Sequence, residues 1–150
     1  MNKISILGIS SILACITLSG CANKAPSFID GDFGVKLNQP AGDLTVTGYN
    51  DDYTLMTINP SQPSSLFKDY SVNVNPETKQ VSKINAISAV PSSQSCIQKK
   101  DEIFNYYKNK YNGQYRTIGT LNKDTQFIGF DNATIQFSCN GNVVVSYTPR

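Results

Sequence analysis

Beyond its N-terminal leader, one stretch of this 150-residue chain repeats its apolar side chains at helical spacing. Cys96, Ile103, Tyr107 and Tyr111 fall on one face of a helix, with Phe104 beside them. Ser95 and Gln98 stand at the spacing of a capping box, in which side chain and backbone of the two residues satisfy each other at the first turn. Asn112-Gly113 supplies the stop. Lys99, Lys100, Lys108 and Lys110 are expected away from the centre of the apolar face. A lone amphipathic helix must bury its stripe against another layer, and the rest of the chain offers only strands.

Those strands are read from alternation and from their turns. Phe33, Val35 and Leu37 alternate with Gly34 and Lys36, and Pro40-Ala41-Gly42-Asp43 ends that segment. Leu44–Thr47 and Tyr53–Ile58 flank a turn at Gly48–Asp52. The loop 59–65 carries Pro60 and Pro63, which lack the N–H a central strand needs; Leu66 and Phe67 fold back on the core. Tyr70, Val72 and Val74 alternate, Asn75–Lys79 turns, and Val81–Ala89 returns with a break in parity that signals a bulge. After the helix come Tyr115–Gly119, Gln126–Phe130, Ala133–Cys139 and Asn142–Thr148, the last two joined by the hairpin signal Asn140-Gly141. The order is strands, helix, strands, with no regular strand–helix alternation and no convincing internal repeat. The expected fold is α+β: an antiparallel β-sheet with one long α-helix packed on one face.

The leader has three zones. Asn2-Lys3 gives a positive start, Ile4–Leu18 is mostly apolar, and Ser19-Gly20 are small. This is the layout of a secretory signal peptide. Its apolar run of about 15 residues falls short of the ~20 that span a bilayer, so a transmembrane anchor is the weaker reading. Leu18-Ser19-Gly20-Cys21 resembles the lipobox of bacterial lipoproteins: an aliphatic residue, two small ones, then cysteine. The resemblance implies a diacylglycerol on the Cys21 thiol, cleavage before Cys21, and usually acylation of the new amino terminus. The alternative is an ordinary secretory signal with a cysteine near its cut. Two or more acyl chains give stable anchoring without a span. The expected divisions are a signal peptide at 1–20, a lipidated N-terminus and tether at 21–29, and one globular domain at 30–150. Ala22-Asn23 follow the cysteine, and the aspartate associated with inner-membrane retention in enterobacterial lipoproteins is absent. The resemblance therefore implies the outer membrane, with the domain facing the periplasm. The mature domain also resembles small uncharacterised exported bacterial proteins, through a phenylalanine-glycine strand, a proline-containing loop and a strand–turn–strand like Tyr70–Ile84; no activity follows from that likeness.

Of the four cysteines, Cys15 leaves with the leader and Cys21 carries lipid, so Cys96 and Cys139 remain. An even pair in an exported chain reads as a disulfide. Ile135, Phe137 and Cys139 share one parity of their strand, so Cys139 points to the apolar side, where Cys96 on the helix can meet it. The pair would staple helix to sheet. Two free thiols or a metal pair are the alternatives, although two cysteines without histidine make a poor zinc site.

Composition excludes several functions. Removing Lys3 from the 13 basic residues leaves twelve against 11 acidic ones, a net charge of +1. That balance does not suit nucleic acid, which calls for a strongly basic domain. Histidine is absent, and neither a nucleophile elbow nor a phosphate loop occurs. Asp30, Asp32, Asp43, Asp51 and Asp52 match no calcium loop and read as solvated turn residues. The chain is read as a non-enzyme with no metal or cofactor. The helix offers candidate partner contacts at Tyr106, Lys108 and Lys110, since tyrosine combines a large apolar body with a polar tip. The expected function is a membrane-anchored module that binds another envelope component, a protein or a polysaccharide. An inhibitor of a wall-degrading hydrolase such as lysozyme and an accessory subunit of an envelope assembly are the alternatives.

Overall fold

The structure is a computed structural model that describes residues 27–92 and 94–150. The leader, Cys21 and the first part of the tether lie outside the described residues.

The architecture is α+β. Eight strands form one antiparallel sheet: β3 (Val46–Tyr49), β4 (Leu55–Ile58), β5 (Asp69–Val74), β6 (Val81–Ser88), β7 (Thr117–Asn122), β8 (Thr125–Gly129), β9 (Ala133–Asn140) and β10 (Asn142–Pro149). A small hairpin of β1 (Gly31–Asp32) and β2 (Val35–Lys36) precedes them, and α1 (Cys96–Lys110) lies between β6 and β7. The strand order is β3-β4-β5-β6-β10-β9-β8-β7. Two four-stranded meanders therefore meet along their last strands, β6 and β10, with Val145 opposite Ala86 and Ser146 opposite Asn85. This duplicated arrangement has no counterpart in the residue pattern, because the two meanders share strand count and direction but not sequence.

Alternation places Val72, Ile84, Tyr147, Ile135 and Ile128 in one register line across five strands, all buried on the inner face. The helix, the β1–β2 hairpin and the loop 59–67 cover this face. Phe104 meets Phe137 edge-on at 5.3 Å, and Phe67 and Tyr107 close the gap between loop and helix at 6.4 Å. Tyr70 pins the loop by accepting from Ser64 N at 2.7 Å and donating to Ser64 O at 2.9 Å.

The helix begins as its sequence indicates. Gln98 N donates to Ser95 Oγ at 3.2 Å, and Ser95 N to Gln98 Oε1 at 2.9 Å. Ile103, Phe104, Tyr107 and Tyr111 are buried. Beyond the cap at Tyr111, Gly113 takes a positive φ of 77°. Cys96 and Cys139 are joined in a disulfide, with Cα atoms 5.8 Å apart, and the helix is stapled to β9. The bulge at the start of β6 is present as a register shift between Asn73 and Val74.

Two local expectations are corrected, at Phe33–Leu37 and at Lys100, while the Asn140-Gly141 hairpin forms as expected. Phe33–Leu37 is not a continuous strand: the chain reverses at Phe33 (φ 62°) and Gly34 (φ 75°). The ring of Phe33 drives this, sitting 5.4 Å from Phe67 and 5.0 Å from Tyr70 in the core. Full burial of such a side chain contributes ~1.5–3 kcal/mol, enough to offset the roughly 1–2 kcal/mol cost of a left-handed backbone. Lys100 is not on the solvated side of the helix. It is 1% exposed, and its Nζ donates to Lys123 O at 2.6 Å, while its long stem covers apolar surface. In the last hairpin, Asn140 stays paired in β9, and Gly141 (φ 71°) alone takes the left-handed conformation.

Candidate functional site

The inner face is not covered along its whole width. Beyond β5, no described helix packs on the sheet, and Leu44, Val46, Met56 and Val74 floor an open cup of about 420 Å³. Its wall is a stacked tyrosine pair, Tyr49 and Tyr53, with ring centroids 4.4 Å apart. Both rings are more than half exposed, at 61% and 54%. The turn that holds them is built by Asn50, whose Oδ1 accepts from Leu55 N at 2.9 Å, and by Asp52, which accepts from Thr54 N at 3.1 Å. Tyr53 adopts φ 58° at the end of this turn. Lys79, at φ 57° in the turn after β5, joins the wall of the cup.

The outer face differs in chemistry. No described helix or hairpin packs on it. Ser71, Asn85, Ser146, Gln136 and Phe127 stand side by side across five strands. Ser146 Oγ donates to Asn85 Oδ1 at 2.8 Å, and Asn85 Nδ2 donates to Asn73 Oδ1 at 3.1 Å. Ser138 and Thr134 lie on the same side of β9. The described strands direct Asp69 and Lys83 to this face, and Arg150, just past β10, lays its guanidinium on it, with Nε donating to Thr134 Oγ1 at 3.3 Å. At the β7 edge, the ring of Phe127 covers Gly119, where an added Cβ would come within 2.6 Å of it. The result is a broad surface of few charges, in which hydroxyls and amides are interleaved with Leu55, Ile87, Val144 and one aromatic ring.

A third feature is a buried polar node. Asp32 Oδ2 accepts from Tyr147 OH at 2.6 Å, from Lys110 Nζ at 2.7 Å and from Tyr107 OH at 3.3 Å, while Oδ1 accepts from Phe33 N at 2.9 Å. Burial pushes the Asp32 carboxyl up, but the bonds from Lys110, Tyr147 and the Phe33 amide outweigh it and hold the carboxyl below its usual value. Burial, with the Asp32 charge added, raises both Tyr107 and Tyr147, so the two phenols stay protonated donors. For Lys110, burial acts downward, and the bond to Asp32 overrides it and raises the ammonium. Asp32 is thus a structural acceptor and not the solvated turn residue its sequence neighbourhood indicates. Every group in the node already has a partner, and none is poised to take a proton from a substrate.

The helix residues proposed as partner contacts are distributed unequally. Tyr106 is 51% exposed and packs edge-on against Tyr107 at 5.4 Å. Lys108 is exposed, but two residues on from Tyr106 it points to the other flank of the helix. Lys110 is committed to Asp32, and its Nζ also sits 5.2 Å from the Tyr107 ring and 5.1 Å from the Tyr111 ring. The three do not make one free patch. Cys21, the expected lipidation site, lies outside the described residues. The cup was missed at the level of sequence because its residues come from three separate turns and strands; the exposed aromatic pair at a turn was its one visible sign.

Comparison with known proteins returned no matching family model, no matching curated protein and no matching solved structure.

Proposed function

We propose that this chain is a lipid-anchored lipoprotein of the bacterial envelope, held at Cys21, whose domain binds another envelope component without catalysis. The observation that carries the reading is the bare outer face of the sheet. A half-covered sheet normally turns a charged, well-solvated side to water. Here the exposed side sets rows of hydroxyls and amides among apolar side chains (Leu55, Ile87, Val144 and the Phe127 ring) with few charges. Such a surface suits the glycan chains of a polysaccharide, whose hydroxyls and amides can meet the polar rows and whose sugar-ring faces can meet the apolar side chains. Envelope polysaccharide is therefore the favoured partner over a charged protein surface. The anchoring half of the proposal rests on the Leu18–Cys21 motif and the short apolar leader. Ala22-Asn23 after the cysteine supports the outer membrane, with the domain facing the periplasm.

The test is co-sedimentation of the purified protein with insoluble peptidoglycan sacculi. Wild-type protein is expected in the pellet, and Gln136→Glu, which sets a negative charge in the centre of the exposed face against the carboxylates of the sacculus, is expected to stay largely in solution. Gln136 is exposed on β9, so the substitution leaves the core intact. Wild-type protein that remains in the supernatant would remove the polysaccharide reading.

A further inference from the structure

The first described residues are not a free tether. Ser27 is 2% exposed, and its N donates to Asp131 Oδ2 at 2.7 Å while Asp131 N donates to Ser27 O at 2.7 Å. Ile29 N donates to Asn132 Oδ1 at 3.0 Å, and Asn132 Nδ2 donates back to Ile29 O at 2.8 Å. The chain is thus fastened to the β8–β9 turn by four hydrogen bonds. Six residue steps separate Ser27 from Cys21. Fully extended, they reach at most about 20 Å.

The β8–β9 turn marks one end of the sheet, and that end can be followed by register. Ile128 faces Ile135, which faces Tyr147, then Ile84, Val72, Met56 and finally Tyr49. The turn 50–54, the turn 75–80, the C-terminal Arg150 and the clamp at Asp131–Asn132 all project beyond this line. Five strand spacings, roughly 24 Å, separate the clamp on β9 from the tyrosine turn on the β3–β4 edge. Phe28, beside the clamp, is 62% exposed, and the open mouth of the apolar cup, with Tyr49 and Tyr53, stands at the opposite corner of the same end. Lys79, Arg116 and Arg150 share this end with Asp51, Asp52 and Glu77, so it carries no strong net charge.

From these placements we propose that this end of the domain docks on the lipid surface in which Cys21 is anchored, with Phe28 at one corner and the Tyr49–Tyr53 cup at the other seated in the headgroup layer. The occupant of the cup is lipid. Three arguments select it: the short reach from Ser27, the emergence of the chain at the same end as the cup, and an aromatic composition matched to a membrane–water interface. The strands then stand across the membrane plane, which leaves the outer face open sideways. This inference rests on the lipidation proposed above.

The protein has no tryptophan, so one introduced indole is an unambiguous reporter. Full-length protein purified from membranes of the producing bacterium, its mass first confirming acyl chains on a polypeptide beginning at Cys21, is placed in phosphatidylcholine vesicles with and without brominated phosphatidylcholine. Tyr53→Trp is expected to lose about half its emission to bromine, as an indole in the interface would. Leu121→Trp, at the far end of β7 and 66% exposed in the wild-type protein, is expected to lose none. Equal quenching at both positions, or none at Tyr53→Trp, would overturn the docking while leaving lipidation intact. A mass without acyl chains would overturn the anchoring, and the docking with it, before any fluorescence is measured.

Discussion

Replacing Asp32 by alanine tests the most consequential polar contact in the domain. Its Oδ2 accepts three donors, two of them phenols on residues that are 0% and 1% exposed, Tyr147 and Tyr107. In the variant, one phenol can turn to the other, which leaves one buried hydroxyl without an acceptor; that alone costs about 1–3 kcal/mol. Lys110 loses a charge-assisted bond, but its side chain is 36% exposed and can turn to water, which limits its share to about 1 kcal/mol. The Phe33 amide loses its acceptor at the tight reversal of the hairpin. The expected loss is therefore about 3 kcal/mol, within the range for breaking a partly buried ion pair. Urea unfolding with the disulfide intact measures it: at a slope of roughly 1.5 kcal/mol/M, the midpoint falls by about 2 M. A loss below about 1 kcal/mol would refute the reasoning, because it would mean that the phenols find other acceptors and that Asp32 is only a surface partner of Lys110.

The same carboxyl predicts an acid limb. Its folded pKa is lowered by Lys110, Tyr147 and the Phe33 amide against burial, so its contribution is complete above the unfolded value of ~3.9 and is lost as pH falls through the lower folded value; Asp32→Asn should flatten the fall in unfolding midpoint below about pH 4 relative to wild type. Joining residues 43 apart, the disulfide should contribute about 4 kcal/mol by loop entropy, read as the midpoint difference between wild type and the Cys96→Ser/Cys139→Ser double variant. Ser95→Ala removes the capping box and should cost about 1 kcal/mol by the same assay. Lys100→Ala should cost about 2 kcal/mol, since it leaves the Lys123 carbonyl without its donor and exposes apolar surface the lysine stem covers, whereas an exterior lysine such as Lys108 should be nearly neutral.

The features legible in the residues were those set by short-range pattern. The helix and its cap, the antiparallel class and the parity that brings Cys139 beneath Cys96 all follow from spacing along a few consecutive turns or strands. The strand order did not follow, because β6 meets β10 across an intervening helix and two further hairpins, and nothing local in Ile84 or Tyr147 announces their pairing. Lys100 and Asp32 were read by the usual behaviour of charged residues at a surface. Each departs from it because other groups meet the charge: the distant Lys123 carbonyl together with the neighbouring Asp101 carboxylate for one, and Lys110 with two tyrosines for the other. Phe33 was assigned to a strand by alternation alone, and the pull of its ring into a four-aromatic cluster with Phe67, Tyr70 and Tyr147 bent the backbone out of that pattern. The outer face shows the complementary case. Its Ser, Asn and Gln positions were visible as the polar half of alternating strands, but their merging into one surface required the strand order.

These two sets of long-range polar contacts share a mechanical consequence. The Asp131–Asn132 clamp fastens residues 27–29 to the β8–β9 turn, and the Asp32 node fastens the hairpin that follows to α1 and β10. The disulfide then ties α1 to β9. A pull applied at the N-terminus is therefore delivered to the central strands β9 and β10 rather than to an edge strand that could peel away. The load would act across paired backbone hydrogen bonds along eight-residue strands, the best supported part of the sheet. If the domain is anchored at Cys21 as proposed, the outer face keeps its shape while the anchor bears force, with the Asp131–Asn132 clamp and the Asp32 node sharing the load.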